Sequence, residues 1–119
     1  MLERDIERYL YEEVKKLGGI AYKFTSPGRR SVPDRICVLP GGVVCFVECK
    51  SPGKKPTPAQ QREITSLTSR GHLVTYVDSK DKIDKLIFKL KSLIDNTCLW
   101  NRSDINPLRD FKLEEETDE

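Results

Sequence analysis

The 119-residue chain has room for one hydrophobic core and not for two. No run approaches the roughly 18 apolar residues of a membrane span, and the opening Met1-Leu2-Glu3-Arg4-Asp5 lacks the basic-then-apolar layout of a signal peptide. The sequence therefore reads as cytoplasmic, with no membrane partner.

The formal net charge of +2 hides an asymmetry. Residues 108–119 hold six acids against two bases, a net of −4, which leaves +6 on the rest. Residues 23–62 alone carry eight bases (Lys23, Arg29, Arg30, Arg35, Lys50, Lys54, Lys55, Arg62) against Asp34 and Glu48, again +6. Such an excess suits a polyanionic partner; a solvated basic surface is the plainer reading. The four cysteines (Cys37, Cys45, Cys49, Cys98) form no CxxC pair, and the lone His72 has no partner at zinc spacing. They read as small buried hydrophobes in a reducing compartment.

In chain order, residues 3–17 predict a helix ended by Gly18-Gly19, with Ile6, Leu10, Val14 and Leu17 as its buried stripe. The helical repeat puts Glu3 near the centre of that stripe and Glu7 toward its edge. An inward carboxylate is costly unless paired or metal-bound; alternatively Glu3 sits in a solvated first turn, where an acid suits the helix dipole. Residues 20–25 predict a strand. The breaker-rich loop Ser26-Pro27-Gly28-Arg29-Arg30-Ser31 follows, suited to holding phosphates through Arg29 and Arg30.

Two further strands, 34–39 and 43–50, form a hairpin through Pro40-Gly41-Gly42, with Pro33 at the strand start where its missing donor is tolerated. Alternation puts Glu48 and Lys50 on one face with Val44 and Phe46, and Cys45 and Cys49 on the other with Val43 and Val47. A second basic loop, 51–56, carries Lys54 and Lys55. Thr57 then reads as a helix N-cap, with Pro58 in the first turn and Gln60 closing a capping box; the helix runs to about Arg70 and stops at Gly71. A strand over 72–77 opens on His72, and Asp78 or Ser79 caps a last helix with Ile83, Leu86, Ile87, Leu90, Leu93 and Ile94 on its apolar face. The domain spans 1–95. Residues 96–119 form an extension in which Trp100, Ile105 and Leu108 are candidates to pack back, and Glu114 to Glu119 read as disordered. The element order gives an α/β domain: a small mixed sheet of about four strands flanked by helices, with a parallel crossover allowed between the last two strands.

The hairpin reversal brings Asp34 opposite Glu48, with Lys50 beside them. Two carboxylates and a lysine ringed by basic loops suit metal-assisted phosphodiester hydrolysis. Mg²⁺ takes hard oxygen donors and keeps several waters, so Asp34, Glu48 and the backbone carbonyl of Cys49 suffice to hold it. Lys50 would orient the attacking water or offset developing charge, and Glu3 would add a further carboxylate. The plainer reading is an edge salt bridge, worth about 0–1 kcal/mol.

The ordered set of Pro33-Asp34-Arg35, Gly41-Gly42, Val47-Glu48-Cys49-Lys50, Thr57-Pro58-Ala59-Gln60 and Gly71, preceded by a glutamate-bearing helix, Gly18-Gly19 and Lys23, resembles the virus-type replication-repair (VRR-NUC) branch of the PD-(D/E)XK nucleases. The match spans roughly residues 3–90. The resemblance implies a restriction-endonuclease-like core and a Mg²⁺-dependent DNA nuclease in which Mn²⁺ substitutes. It puts Asp34 and Glu48 on the metal, makes Lys50 the catalytic lysine, and assigns the first-helix acid to Glu3 or Glu7. Gln60 matches the family's glutamine, although helix capping explains it equally. Small members resemble Holliday junction resolvases, which implies a phage or bacterial homodimer acting on branched DNA as a structure-selective endonuclease. Lys23, Arg29, Arg30, Lys54 and Lys55 are its expected DNA contacts, and the last helix or the segment near Trp100 its expected interface. The alternatives are a flap-, nick- or end-processing nuclease with the same chemistry, or a DNA-binding module without catalysis.

Overall fold

In the computed structural model, which describes residues 1–97, helix α1 (Glu3–Lys16) leads into β1 (Ile20–Lys23), β2 (Arg35–Val38) and β3 (Val44–Cys49). Helix α2 (Pro58–Ser69), β4 (Leu73–Val77) and α3 (Lys80–Asn96) follow. The four strands lie in chain order; β1–β2 and β2–β3 are antiparallel, while β3–β4 is parallel across the α2 crossover. The expected α/β sheet is therefore present. The first three strands are shorter than their apolar runs, because Phe24, Asp34 and Leu39 make only single bonds at the ends of the ladder.

Local chemistry sets the boundaries. Leu2 N–H donates to the Asp5 carboxylate at 2.7 Å, which caps α1. Ser79 accepts from Lys82 N–H and is the cap of α3. Between β2 and β3 the chain turns through a short 3₁₀ segment, Pro40–Gly42, with Gly41 at φ 76°. A Cβ on Gly41 would collide with the Thr97 side chain at the end of α3, so the glycine supplies both the left-handed turn and room for the helix.

The sheet's two faces differ. Cys37, Cys45, Val47, Cys49 and Val77 are buried in one core with Ile6, Leu10 and Val14 of α1 and Ile83 and Leu90 of α3. Among the described residues the opposite face receives only α2, which has no fully buried residue. There Ile20, Tyr22, Val38 and Val44, neighbours across three strands, stay 40–52% exposed. Among the described residues no helix is long and apolar enough to cross a membrane. Cys98, Trp100, Ile105, Leu108 and the acidic run Glu114 to Glu119 lie outside the described residues.

Candidate active site

The β2–β3 register, carried one pair past Arg35↔Val47, sets Asp34 opposite Glu48 at the open end of the hairpin. Asp34 is pinned twice: its carbonyl accepts from Phe24 N–H at 2.7 Å, and its carboxylate accepts from Cys49 N–H at 3.1 Å. Glu48 is 3% exposed. Its Oε2 accepts from Gln60 Nε2 at 2.9 Å and lies 3.6 Å from Lys50 Nζ, whereas its Oε1 has no hydrogen-bond partner among the described residues. Lys50 lies just past β3 and is held by its N–H donating to Val77 O at 2.9 Å.

Pro33 leaves a further oxygen open. Leu39 N–H donates to Val43 O, so the hydrogen-bonded pairs recur at Leu39/Val43, Cys37/Cys45, Arg35/Val47 and, by continuation, Pro33/Cys49. Proline has no N–H. The ladder bond that would occupy the Cys49 carbonyl from that side therefore cannot form. A strand residue's N–H and C=O point to the same edge, so this carbonyl opens toward Asp34, where the Cys49 N–H already points.

Burial first, and then the neighbouring Asp34 charge, push the Glu48 carboxyl up to about 7 against the pull of Lys50. Asp34 is also raised, by burial above all and by Glu7 in part, while the Cys49 N–H pulls it down. Two part-desolvated carboxylates, both raised by burial and Glu48 further by the Asp34 charge, with one buried oxygen unpartnered among the described residues, could accommodate a cation. Among the described residues no three His, Cys, Asp or Glu side chains stand close enough to hold a metal unaided. The protein groups that could hold a cation here are thus two carboxylates and a carbonyl, a set of hard oxygens of the kind Mg²⁺ takes when it keeps several waters.

The first-helix acid comes out differently from the stripe expectation. Glu3 is the first residue of α1 and its side chain is exposed, whereas Glu7, one turn on, is part-buried. Arg35, whose side chain shares the inward face with Cys37, makes this possible. Its guanidinium donates to Glu7 at 2.9 Å and to Ala21 O at 3.2 Å, with both charged side chains at most 20% exposed. An arginine on the core face of a strand needs a carboxylate partner, and that signal, unused in the helical phase argument, points to Glu7. Glu3 still feels the site: burial, then Asp34 and Glu7, raise its carboxyl.

Gln60 makes two contacts, one to its helix cap and one to Glu48. Its Oε1 accepts from Thr57 N–H at 2.9 Å and closes the capping box, while its Nε2 holds Glu48. Helices α1 and α2 thus reach the same strand end from opposite faces of the sheet.

The basic loops flank this end along the chain. Lys23, Arg30, Lys54 and Lys55 are exposed, and Gly53 N–H donates to the Asp78 carboxylate, anchoring the second loop. Arg29 is not a free cation: its Nε donates to Glu63 on α2 at 2.7 Å. Cys45 and Cys49 are buried, and burial raises both thiols, that of Cys45 to about 12.

No family model matches the chain. It is 60% identical over 79 residues to "Putative nuclease p44" of Acyrthosiphon pisum secondary endosymbiont phage 1, across 66% of this chain and 85% of that protein. A solved structure described as a VRR_NUC domain is 40% identical with a TM-score of 0.68, across 71% of this chain and 92% of that one.

Proposed function

This chain belongs to the VRR-NUC nuclease family, and on that premise we propose that it is a Mg²⁺-dependent, structure-selective endonuclease that hydrolyses phosphodiester bonds in branched DNA such as Holliday junctions. The observation that carries the reading is Glu48: buried, raised in proton affinity, facing Asp34, with one oxygen held by Gln60 and the other unpartnered. A module that only coated DNA would gain nothing from burying carboxylates beside a polyanion.

Asp34, Glu48 and the Cys49 carbonyl would hold the cation, with Mn²⁺ able to replace Mg²⁺. When bound, it would polarise the scissile phosphate and acidify a water. Gln60 fixes the Glu48 carboxylate so that Oε1 remains the available oxygen. Lys50 brings an ammonium to the same site, to orient the attacking water or offset the developing negative charge. Glu7, clamped by Arg35, takes the part of the helix acid ahead of Glu3, where it supports the site from the α1 side. Lys23, Arg30, Lys54 and Lys55 would contact DNA phosphates, and Arg29 would do so only by leaving Glu63.

A symmetric dimer offers two such centres for two strands. The bare sheet face of Ile20, Tyr22, Val38 and Val44, or the exposed Phe88 on α3, would supply its apolar contact.

The test is cleavage of labelled four-way junction, flap and linear duplex in Mg²⁺, Mn²⁺ and EDTA, with light scattering for the mass in solution. Junction cutting that EDTA abolishes supports the reading. Cutting of flaps alone moves it to end processing, and an absence of cutting on every substrate removes it.

A further inference from the structure

Beside the carboxylate centre, the loop after β1 and the first two turns of α2 enclose a cleft of about 280 Å³ lined by Arg29, Arg30, Ser31, Ala59, Arg62 and Glu63. Its charges are unevenly spent. Glu63, 11% exposed, pairs with Arg29 and fastens the loop to the helix. Arg30 and Arg62 are exposed and form no salt bridge among the described residues, so the cleft carries two unspent positive charges. Ser31, at φ 67°, is the non-glycine residue held in the left-handed region among the described residues, and such a conformation persists only where its surroundings fix it.

Its position ties it to the centre. Gln60, whose amide holds Glu48, lies between Ala59 and Arg62 on the same helix. One stretch of α2 thus touches the carboxylates on one side and the cleft on the other.

We propose that this cleft seats a single backbone phosphate of the DNA strand, near the scissile phosphate but distinct from it, gripped jointly by Arg30 and Arg62. The Arg29–Glu63 pair acts as the clasp that keeps the cleft open at the right width. Two planar guanidiniums lining one cleft can each offer paired N–H donors to a phosphodiester's oxygens. Seating one phosphate beside the centre fixes the register of the strand on the enzyme, a positioning role for Arg62 that its place on a helix surface does not advertise. The inference rests on the DNA-nuclease reading above.

The experiment is the salt dependence of binding of a labelled four-way junction in EDTA, where nothing is cut. Each phosphate neutralised contributes about 0.9 to the slope of log affinity against log salt. The Arg30→Gln/Arg62→Gln double variant should flatten the slope by about 0.9, each single variant should flatten it by less, and Arg62→Lys should restore most of the loss. Arg70→Gln, which removes the same single charge as either single variant but from the far end of α2, should leave the slope unchanged. A double variant with the wild-type slope overturns the proposal. So does a loss of about 1.8, meaning two separate phosphates, or an equal loss from Arg70→Gln. Cleavage by the wild type in Mg²⁺ is read separately. A chain that cuts nothing but loses slope in the double variant keeps the cleft and loses the nuclease reading; one that cuts with an unmoved slope does the reverse.

Discussion

Strand β3 uses burial in two opposite ways within a few residues. Cys45, Val47 and Cys49 face the helices of the core, where removing them from water is favourable and leaves no group unsatisfied. Glu48, on the other face and equally buried, opposes the carboxylate of Asp34 and keeps one oxygen without a partner. A rise of its carboxyl from 4.5 to about 7 corresponds to about 3 kcal/mol charged against the ionised fold. The core face stabilises the molecule; the strand end gives up part of that stability to keep a carboxylate buried beside another.

The largest expected effects come from exchanging residues between these two environments. Glu48→Ala or Lys50→Ala should lower cleavage by at least about 10³-fold, because charge stabilisation aimed at the reacting phosphate is lost. Cys45→Ala should leave kcat near the wild-type value and cost about 1 kcal/mol of stability in a denaturant melt. Activity that survives Glu48→Ala would erase the distinction between the two faces.

Next comes pH. The folded state holds a proton on Glu48 that the unfolded chain releases, so this contribution to stability is fully present below about pH 4.5 and is lost as the pH climbs through about 7. The metal-free wild type should therefore melt progressively lower between pH 5 and pH 8, taken as roughly the window of that titration, relative to Glu48→Gln. That variant, which keeps an acceptor for Gln60, should melt higher at pH 8 while cutting nothing. Parallel melting curves for the two proteins would mean that Glu48 is not strained.

Smaller effects separate the two jobs of Gln60. Thr57→Ala removes the helix cap and should cost about 1 kcal/mol with little change in turnover. Gln60→Ala should cost a similar amount and also slow cleavage, about tenfold, as the carboxylate loses its support. The smallest concern the loops: Lys54→Ala should flatten the salt dependence of DNA binding by about one phosphate's worth. Arg29→Ala should flatten it as well, since it opens the clasp and leaves the Glu63 carboxylate unpaired in the cleft.

How much of this could be read from the residues varied with the kind of signal. Among the described residues, apolar patterning located α1, α3 and the four strands, cap chemistry from Thr57 to Gly71 located α2, and strand alternation put Cys45 and Cys49 inward and Glu48 with Lys50. Those patterns are local, set by neighbours two to four residues away. The hairpin also brought Asp34 to Glu48, because a glycine reversal fixes what lies opposite. The long-range partners were not legible. Helical phase made Glu3 the inward acid, but a first-turn residue has no preceding turn to hold it, and the inward acid is decided by Arg35, 28 residues away from Glu7. Arg29 looked free because its partner Glu63 lies 34 residues on, beyond the α2 crossover start. Gln60 had two explanations, and the structure lets one amide satisfy both, its oxygen inward to the cap and its nitrogen to Glu48.

The central claim, that Asp34, Glu48 and the Cys49 carbonyl form a divalent-cation site at the end of the hairpin, is tested most directly by titrating Mn²⁺ into the DNA-free protein by calorimetry at pH 6 and pH 8, on either side of about 7. One saturable site is expected, weaker at pH 6, where binding must displace the Glu48 proton, and lost in Glu48→Gln. Mn²⁺ binding that Glu48→Gln leaves intact, with no dependence on pH, would contradict it.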